Sequence, residues 1–394
     1  MVLEFQVYDW LQDHDKNTYS DVSESDENVI YEYIIHLFGR TLDNESVYAK
    51  VRNFKPYFFI SLPLSWTKHM AKRKVIEMKR WLLSGSNKKV WHKYKRGLVS
   101  IKVVGKMKAE GFTNGRKFLF AVLHFNNSIA MRKYRSLFEE NRIFIPQVLD
   151  KKFKFKTYEA NLPPMLRCFH IRNISGCSWV NIEKYSVIDE DDKISYCHHE
   201  IEVNYKDIFP VEKEINAPLV IASFDIEVTS IDGQFPQARR NGDKIIQIGT
   251  TYTYLGESVP LRQHIVCLDE TADVEGAIVE WYDNERDLVK AWKDEIIRSD
   301  CDILTGYNIF YFDEKYIYDR CIDHLNLEDE ISNLSKFIDY DCRFREFKLA
   351  SAALGENKLR LWDTPGRVHI DLMKDVQKTY KLNSYKLDSV SSNF

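Results

Sequence analysis

The sequence predicts an α/β protein, and three observations predict it. Apolar runs of strand length recur at Leu219 to Val228, Lys244 to Thr251 and Gln263 to Leu268. A helical face follows between Asn284 and Arg298, where Leu288, Val289, Trp292 and Ile296 fall on one side and Asn284 stands at the N-cap. A short strand, Asp302 to Leu304, then turns through Gly306 and Asn308 into a second helix, Asp313 to His324. Three strands followed by alternating helix and strand suit a layered α/β domain.

Upstream the pattern is also mixed. Phe5 to Tyr8, Val29 to Phe38 and Val47 to Val51 read as strands, with the polar tract Asp13 to Asn28 as a loop. Lys68 to Leu83 has helical spacing at Met70, Val75, Met78, Trp81 and Leu82, and from Val90 strand patterning returns at Leu98 to Val104 and Phe118 to Leu123. Lys151, Lys152, Lys154 and Lys156 are interleaved with Phe153 and Phe155, so a strand there would show one basic and one apolar face. That face would serve equally as a sheet edge protected by lysines or as a nucleic-acid contact. Acidic Asp189 to Asp192 and the mixed tract to Pro218 form a boundary, giving a mixed α/β first domain over 1–210 and a second α/β domain over 211–394.

With 394 residues, 44% hydrophobic and 29% charged, the chain has room for two or three globular domains and no signature of disorder. The formal charge of −3 conceals a basic stretch, Lys88 to Lys117, in which ten Lys or Arg face the single acid Glu110. Positive charge with interleaved aromatic residues is what a single-stranded DNA or RNA surface requires. Seven scattered cysteines without a C-x-x-C argue for a reducing compartment and against a zinc ribbon. Cys197-His198-His199 reads as solvated loop, because adjacent histidines on a strand would point to opposite faces. No signal peptide or spanning segment is read, so the expected location is intracellular, away from any membrane.

The chemistry concentrates at Phe224-Asp225-Ile226-Glu227-Val228, which places two carboxylates on one face of a buried strand. A D-x-E pair alone carries little, since about one arises by chance in a chain of this length. Context adds weight: ionised carboxylates are not left unpaired in a core, and Mg²⁺ or Mn²⁺ is the ion that clustered oxygen ligands select. Asp313, at the start of a helix after the Gly306 to Phe312 turn, offers a third carboxylate. Its plainer role is a helix N-terminal acid favoured by the macrodipole. Asn308 is explained by turn chemistry as readily as by a direct role, and Phe310, Tyr311 and Phe312 read more as core than as base-stacking surface.

These two blocks, with Phe235-Pro236-Gln237 and Lys244-Ile245-Ile246-Gln247-Ile248-Gly249 between them, resemble the first two exonuclease motifs of B-family DNA polymerases, especially the delta-like and large-DNA-virus branches. Phe38-Gly39-Arg40, Pro56-Tyr57-Phe58, Tyr158 to Pro164 and Asn173 to Gly176 resemble the amino-terminal region of the same polymerases. Ile370-Asp371-Leu372 and Leu382 to Val390 continue the likeness, which spans nearly the whole chain.

The resemblance implies a ribonuclease-H-like 3′→5′ exonuclease domain behind a mixed α/β amino-terminal domain. It implies two Mg²⁺ or Mn²⁺ ions, bridged by Asp225, with Glu227 holding the first and Asp313 the second. Asn308, Phe312, Lys151, Lys152 and Lys154 become candidate nucleic-acid contacts. Implied partners are a single-stranded 3′ end, primer–template DNA and, for the parent polymerase, a sliding clamp; a viral source would place it in the host nucleus or a cytoplasmic replication site. The family's third motif, Tyr-x-x-x-Asp, is not matched: Tyr385-Lys386-Leu387-Asp388 has the wrong spacing, and Tyr185 with Asp189 lies upstream of the first motif. No palm-type Asp-Thr-Asp motif occurs either. The expectation is therefore an amino-terminal portion, truncated or split, that is weak or inactive alone. Two other readings stand beside it: a non-catalytic single-strand-binding fragment or polymerase half, and a free-standing nuclease in which Asp371 or Asp388 replaces the missing ligand.

Overall fold

The computed structural model describes residues 2–14, 32–84, 94, 96–140, 143–351 and 355–393, without the side chains of 14, 349–351 and 355–357. Most of the polar tract Asp13 to Asn28, the beginning of the Val29 to Phe38 strand and much of the basic stretch from Lys88 to Lys95 lie outside the described residues. Among the described residues there are four sheets. The first has seven strands in the order Ile208–Val211, Trp179–Ile182, Leu3–His14, Tyr33–Arg40, Ser46–Arg52, His199–Asn204 and Tyr185–Val187. Its core is Phe5, Val7, Ile35, Leu37, Val180 and Ile201. His198 and His199, starting its sixth strand, bond to Ser46 and Glu45 of the neighbouring strand.

Inserted between these strands is a compact unit of four antiparallel strands. In chain order it runs strand Tyr57–Ser61, helix Lys68–Leu83, strands Leu98–Lys106 and Phe118–Phe125, helix Ser128–Glu140, and strand Thr157–Tyr158. Alternation decides which face each strand buries: Phe58, Ile60, Ala121, Leu123 and Phe125 meet Val75, Met78, Tyr134 and Phe138 of the two helices. Thr67 caps the first helix by accepting the Met70 N–H. The expected strand at Lys151 to Lys156 is not formed. Phe153 makes one isolated bridge with Ile143, Phe155 is buried, and Lys151, Lys152 and Lys154 are exposed in an extended lead-in to the last strand. Two residues, Thr157 and Tyr158, suffice to complete the sheet.

The third sheet has six strands in the order Ile278–Tyr282, Arg262–Leu268, Ile245–Tyr254, Val220–Val228, Ile303–Gly306 and Val368–Asp371. The Val220–Val228 strand is central, antiparallel to Ile245–Tyr254 and parallel to Ile303–Gly306. Helix Glu285–Arg298 covers one face through Leu288, Val289, Trp292 and Ile296, and the Trp292 ring lies 5.2 Å from that of Phe224. Helix Asp313–Arg320 packs beside it and continues as a wider turn, Cys321–Leu325. The fourth sheet is a hairpin, Phe344–Ser351 with Gly355–Trp362.

A buried ionic cluster joins the first and third sheets. Arg40, 1% exposed, reaches Asp302 at 2.5 and 3.0 Å and Asp300 at 2.9 Å, while Lys336 approaches Asp302 at 2.6 Å. Asp302 also accepts the Val220 N–H at 2.9 Å, so the joint fixes the root of the central strand. Burial alone would raise the Asp300 carboxyl, but Lys336 and Arg40 outweigh it and hold it at about 2. Removing one partner from such a cluster strands the remaining charges, at a cost of about 3–5 kcal/mol. Arg40→Ala is therefore expected to lower the unfolding free energy by about 3 kcal/mol in chemical denaturation, with Arg40→Lys recovering only part because it lacks the guanidinium fork. Wild-type stability in Arg40→Ala would show that the two sheets do not depend on this joint.

Candidate active site

Asp225 and Glu227 project from the same face of the central strand, whose other face buries Phe224 and Ile226. Both are exposed. Opposite Asp225 in the ladder stands Gly249, and a Cβ built there would meet nothing within 4 Å, so the space beside the carboxylate is open. The ladder shifts register between Glu227 and Val228, a bulge of the kind that re-aims a side chain at a site.

Asp313 arrives from a different part of the chain. The Ile303–Gly306 strand runs so close to its neighbour that a Cβ at Gly306 would lie 2.5 Å from the Phe224 carbonyl oxygen. Only glycine fits there. Asn308 then adopts a left-handed backbone, φ 66°, and its carbonyl accepts the N–H groups of Tyr311 and Phe312 at 3.1 Å. The turn is pinned from outside by Asp371, whose carboxylate accepts the N–H groups of Asn308 (2.9 Å), Phe310 (3.2 Å) and Met373 (2.9 Å). Asp371 is thus committed to backbone and does not replace a metal ligand. Asp388 is exposed in the first turn of the terminal Leu387–Ser391 helix.

The turn delivers Asp313 to the central strand. Its Oδ1 accepts the Ile226 N–H at 3.2 Å, between the two acids of the strand, and its carboxyl hydrogen-bonds to that of Asp225. Asp313 is 2% exposed. Burial, then the charge of Asp225, push its carboxyl up to about 7. Burial also raises Asp225, offset in part by the hydrogen bond from Asp313 and by the Ile226 backbone. The pair behaves as two acids sharing one proton. Neither forms an ion pair with a basic side chain among the described residues. Two mutually repelling carboxylates beside open space make a donor set suited to a divalent cation, and in that respect the residues fit Mg²⁺ or Mn²⁺. Glu227 shares the face but does not close on the pair: among the described residues no group of three His, Cys, Asp or Glu reaches metal-holding geometry.

The Asp313–Arg320 helix is held by its far end. Arg320 forms a buried ion pair with Glu285, 2.7 Å from Nε to Oε1, and donates to the Ala238 and Arg240 carbonyls. Next to Asp313, Glu314 is 1% exposed, accepts the Trp362 N–H at 3.1 Å and meets His369 at 2.8 Å, which ties the helix start to the hairpin base.

Next to Asp313 in the chain, Phe312 borders a cleft of about 580 Å³ lined in part by Phe235, Tyr311, Phe312, Lys315, Lys358 and Arg360, and Asp225, Glu227 and Asp313 are not among its lining residues. The aromatic trio divides: Phe310 is core, Tyr311 is 67% exposed, and Phe312 packs its ring 5.6 Å from Phe235 at the cleft. Lys151, Lys152 and Lys154 do not line this cleft. Sequence reading assigned no role to Lys315, Lys358 or Arg360. A signal existed in Lys358-Leu359-Arg360-Leu361-Trp362, whose basic and apolar residues alternate as on a half-buried strand.

Residues 155–390, more than half of the chain, match the family model for the DNA polymerase family B exonuclease domain. The chain belongs to the B-family DNA polymerases. Curated polymerases agree: the DNA polymerase of Acanthamoeba polyphaga mimivirus is 30% identical over 99% of this chain and 26% of its own length. The delta catalytic subunit of Plasmodium falciparum is 32% identical over 94% of this chain and 34% of its length. The fold matches the family B DNA polymerase of Pyrobaculum calidifontis with a TM-score of 0.60 at 18% identity, over all of this chain and 39% of that one. The chain thus spans between 26% and 39% of these three B-family proteins. Its third sheet is the ribonuclease-H-like exonuclease domain of the family. Among the described residues no helix is long and apolar enough to cross a membrane.

The shared proton has a measurable consequence. In the unfolded chain an Asp titrates near about 4, so between that pH and about 7 the folded protein keeps a proton that the unfolded one has released. Stability without metal should fall as pH rises through this window, by up to about 1.4 kcal/mol per pH unit. Denaturation in EDTA across the range is expected to show that slope in the wild type and its loss in Asp313→Asn. Parallel profiles for the two would mean that Asp313 is not held protonated.

Proposed function

We propose that the Asp225–Asp313 pair is the cation-binding core of a 3′→5′ exonuclease that removes mispaired DNA ends for a replicative B-family polymerase. The observation that carries this reading is the convergence of the two acids, 88 positions apart in the sequence, on the Ile226 N–H with no basic partner. Two divalent ions, when bound, supply an activated water and neutralise charge on the attacking and leaving oxygens. Asp225 and Asp313 would hold them, and Glu227, on the same strand face, would complete the set and orient the water. Tyr311 and Phe312 offer ring faces to the terminal bases, and Lys315, Lys358 and Arg360 meet the phosphates of a single strand in the cleft.

Selectivity follows from the cost of unpairing. A mismatched end frays more easily than a paired one, and only a single strand enters a cleft of this size. In the full-length polymerase, Asp225→Ala is expected to lower Mg²⁺-dependent removal of a 3′ nucleotide about 10³-fold, since a metal site contributes several kcal/mol. Nucleotide addition should stay near wild type. Retained proofreading would refute the assignment, and salt-sensitive binding without Mg²⁺-dependent hydrolysis in the wild type would favour a purely binding module instead.

A further inference from the structure

The four-stranded unit in the first 210 residues takes no part in the Asp225–Asp313 pair or in the neighbouring cleft, and it carries a surface of its own. Across the sheet its four strands stand in the order second, third, first and fourth: Leu98–Lys106, Phe118–Phe125, Tyr57–Ser61, Thr157–Tyr158. With helices after its first and third strands this is the β-α-β-β-α-β arrangement, which leaves one sheet face uncovered by helices. That face carries a row of rings on neighbouring strands: Phe59 and Phe120 are 6.4 Å apart, and Phe120 and Tyr158 5.2 Å. Phe118 extends the row on the Phe120 strand. At the other end of the sheet Arg167 covers Tyr57, and Phe120 is itself buried within the row, so the accessible rings are the half-buried Phe118 and Tyr158.

Cations crowd this end. Lys108 and Arg116 lie 4.4 and 5.4 Å from the Phe118 ring centre, and Lys156 lies 5.4 Å from that of Tyr158. Lys102 and Lys106, directly opposite Val122 and Phe118 in the ladder, are exposed on the same face. The only acid between Lys88 and Lys117 is Glu110, which pairs with Lys156. From the connection between the two long strands Phe112 projects into solvent, 96% exposed, beside Gly111 and Gly115 in left-handed turns. An exposed ring on a loop that also carries Lys108, Arg116 and Lys117 suits a partner that supplies both a flat apolar face and negative charge.

We propose that this sheet face and the 107–117 loop form a second site for single-stranded DNA, distinct from the nuclease cleft. Unpaired bases stack on Phe118, Tyr158 and Phe112, and the cations now resting on those rings turn to the phosphates. Duplex is excluded, since its bases are already stacked on one another. DNA is the strand expected because the chain belongs to a DNA polymerase family.

The test is fluorescence anisotropy of a short labelled oligo(dT) titrated with the protein in EDTA, where nothing is cut. Phe112→Ala, on a fully exposed tip, is expected to bind about tenfold more weakly, as for loss of one stacking platform. Lys102→Glu with Lys106→Glu should weaken binding and reduce the salt slope by about 1.4, with unchanged thermal melting as the folding control. Tyr311→Ala, in the nuclease cleft, reports that site separately. Wild-type affinity in both the Phe112 and the lysine variants, or loss confined to Tyr311→Ala, would overturn the proposal, and tighter binding of oligo(rU) than oligo(dT) would overturn its assignment to DNA.

Discussion

The constraint on which the exonuclease domain turns is the contact between Asp225 and Asp313. One lies on a strand face and the other is buried at a helix start, and their hydrogen bond requires a proton that a lone aspartate would not keep near neutral pH. Desolvation and like charge both act against the ionised pair. A divalent cation would resolve the conflict more completely than a proton, because it would satisfy both carboxylates at once. In the function we propose, the same arrangement that costs folding stability without metal would be the source of affinity for it, a common relation between strained electrostatics and function.

Such a pair persists only if its surroundings prevent the acids from separating. Gly306 lets two strands approach, Asn308 reverses the chain, and Asp371 secures three backbone N–H groups around the reversal. Glu285–Arg320 and Glu314–His369 fix the two ends of the helix that begins with Asp313. At the root of the central strand, Asp302 links Val220 to Arg40 and Lys336, so the first sheet and the nuclease sheet share one ionic anchor. These groups touch no substrate in our reading. Their work is to hold two repelling carboxylates within reach of each other.

Much of this was legible in the sequence, for reasons that can be named. Alternation exposed the central strand, and Asn284 with its periodic apolar face gave helix Glu285–Arg298 almost to the residue. Asp225, Glu227 and Asp313 were singled out because acids in an apolar context are costly, and of these the structure brings Asp225 and Asp313 together. What escaped has a common physical cause. The Ile278–Tyr282 strand is an edge whose residues are largely half-exposed, so it lacks a clear burial pattern, and the hairpin Phe344–Trp362 is a sheet of its own that meets the main core through Phe344, Leu359, Leu361 and Trp362. Helix Ser128–Glu140 follows Asn127, whose side chain accepts the Ala130 N–H, a cap visible in hindsight. The role of Asp371 could not be read at all, since its partners are backbone groups 61 and 63 residues away. The alternation of Lys151 to Lys156 was read correctly as two faces, but burial of Phe155 achieved it without a strand ladder.

The central claim is that Asp225 and Asp313 together bind a divalent cation, and Mn²⁺ binding followed by electron paramagnetic resonance tests it most directly. The wild-type chain should bind Mn²⁺ with affinity that rises as pH passes about 7, where the shared proton leaves, and both Asp225→Asn and Asp313→Asn should lose that binding while remaining folded. Mn²⁺ bound equally by the wild type and both variants, or by none of them at alkaline pH, would contradict the account.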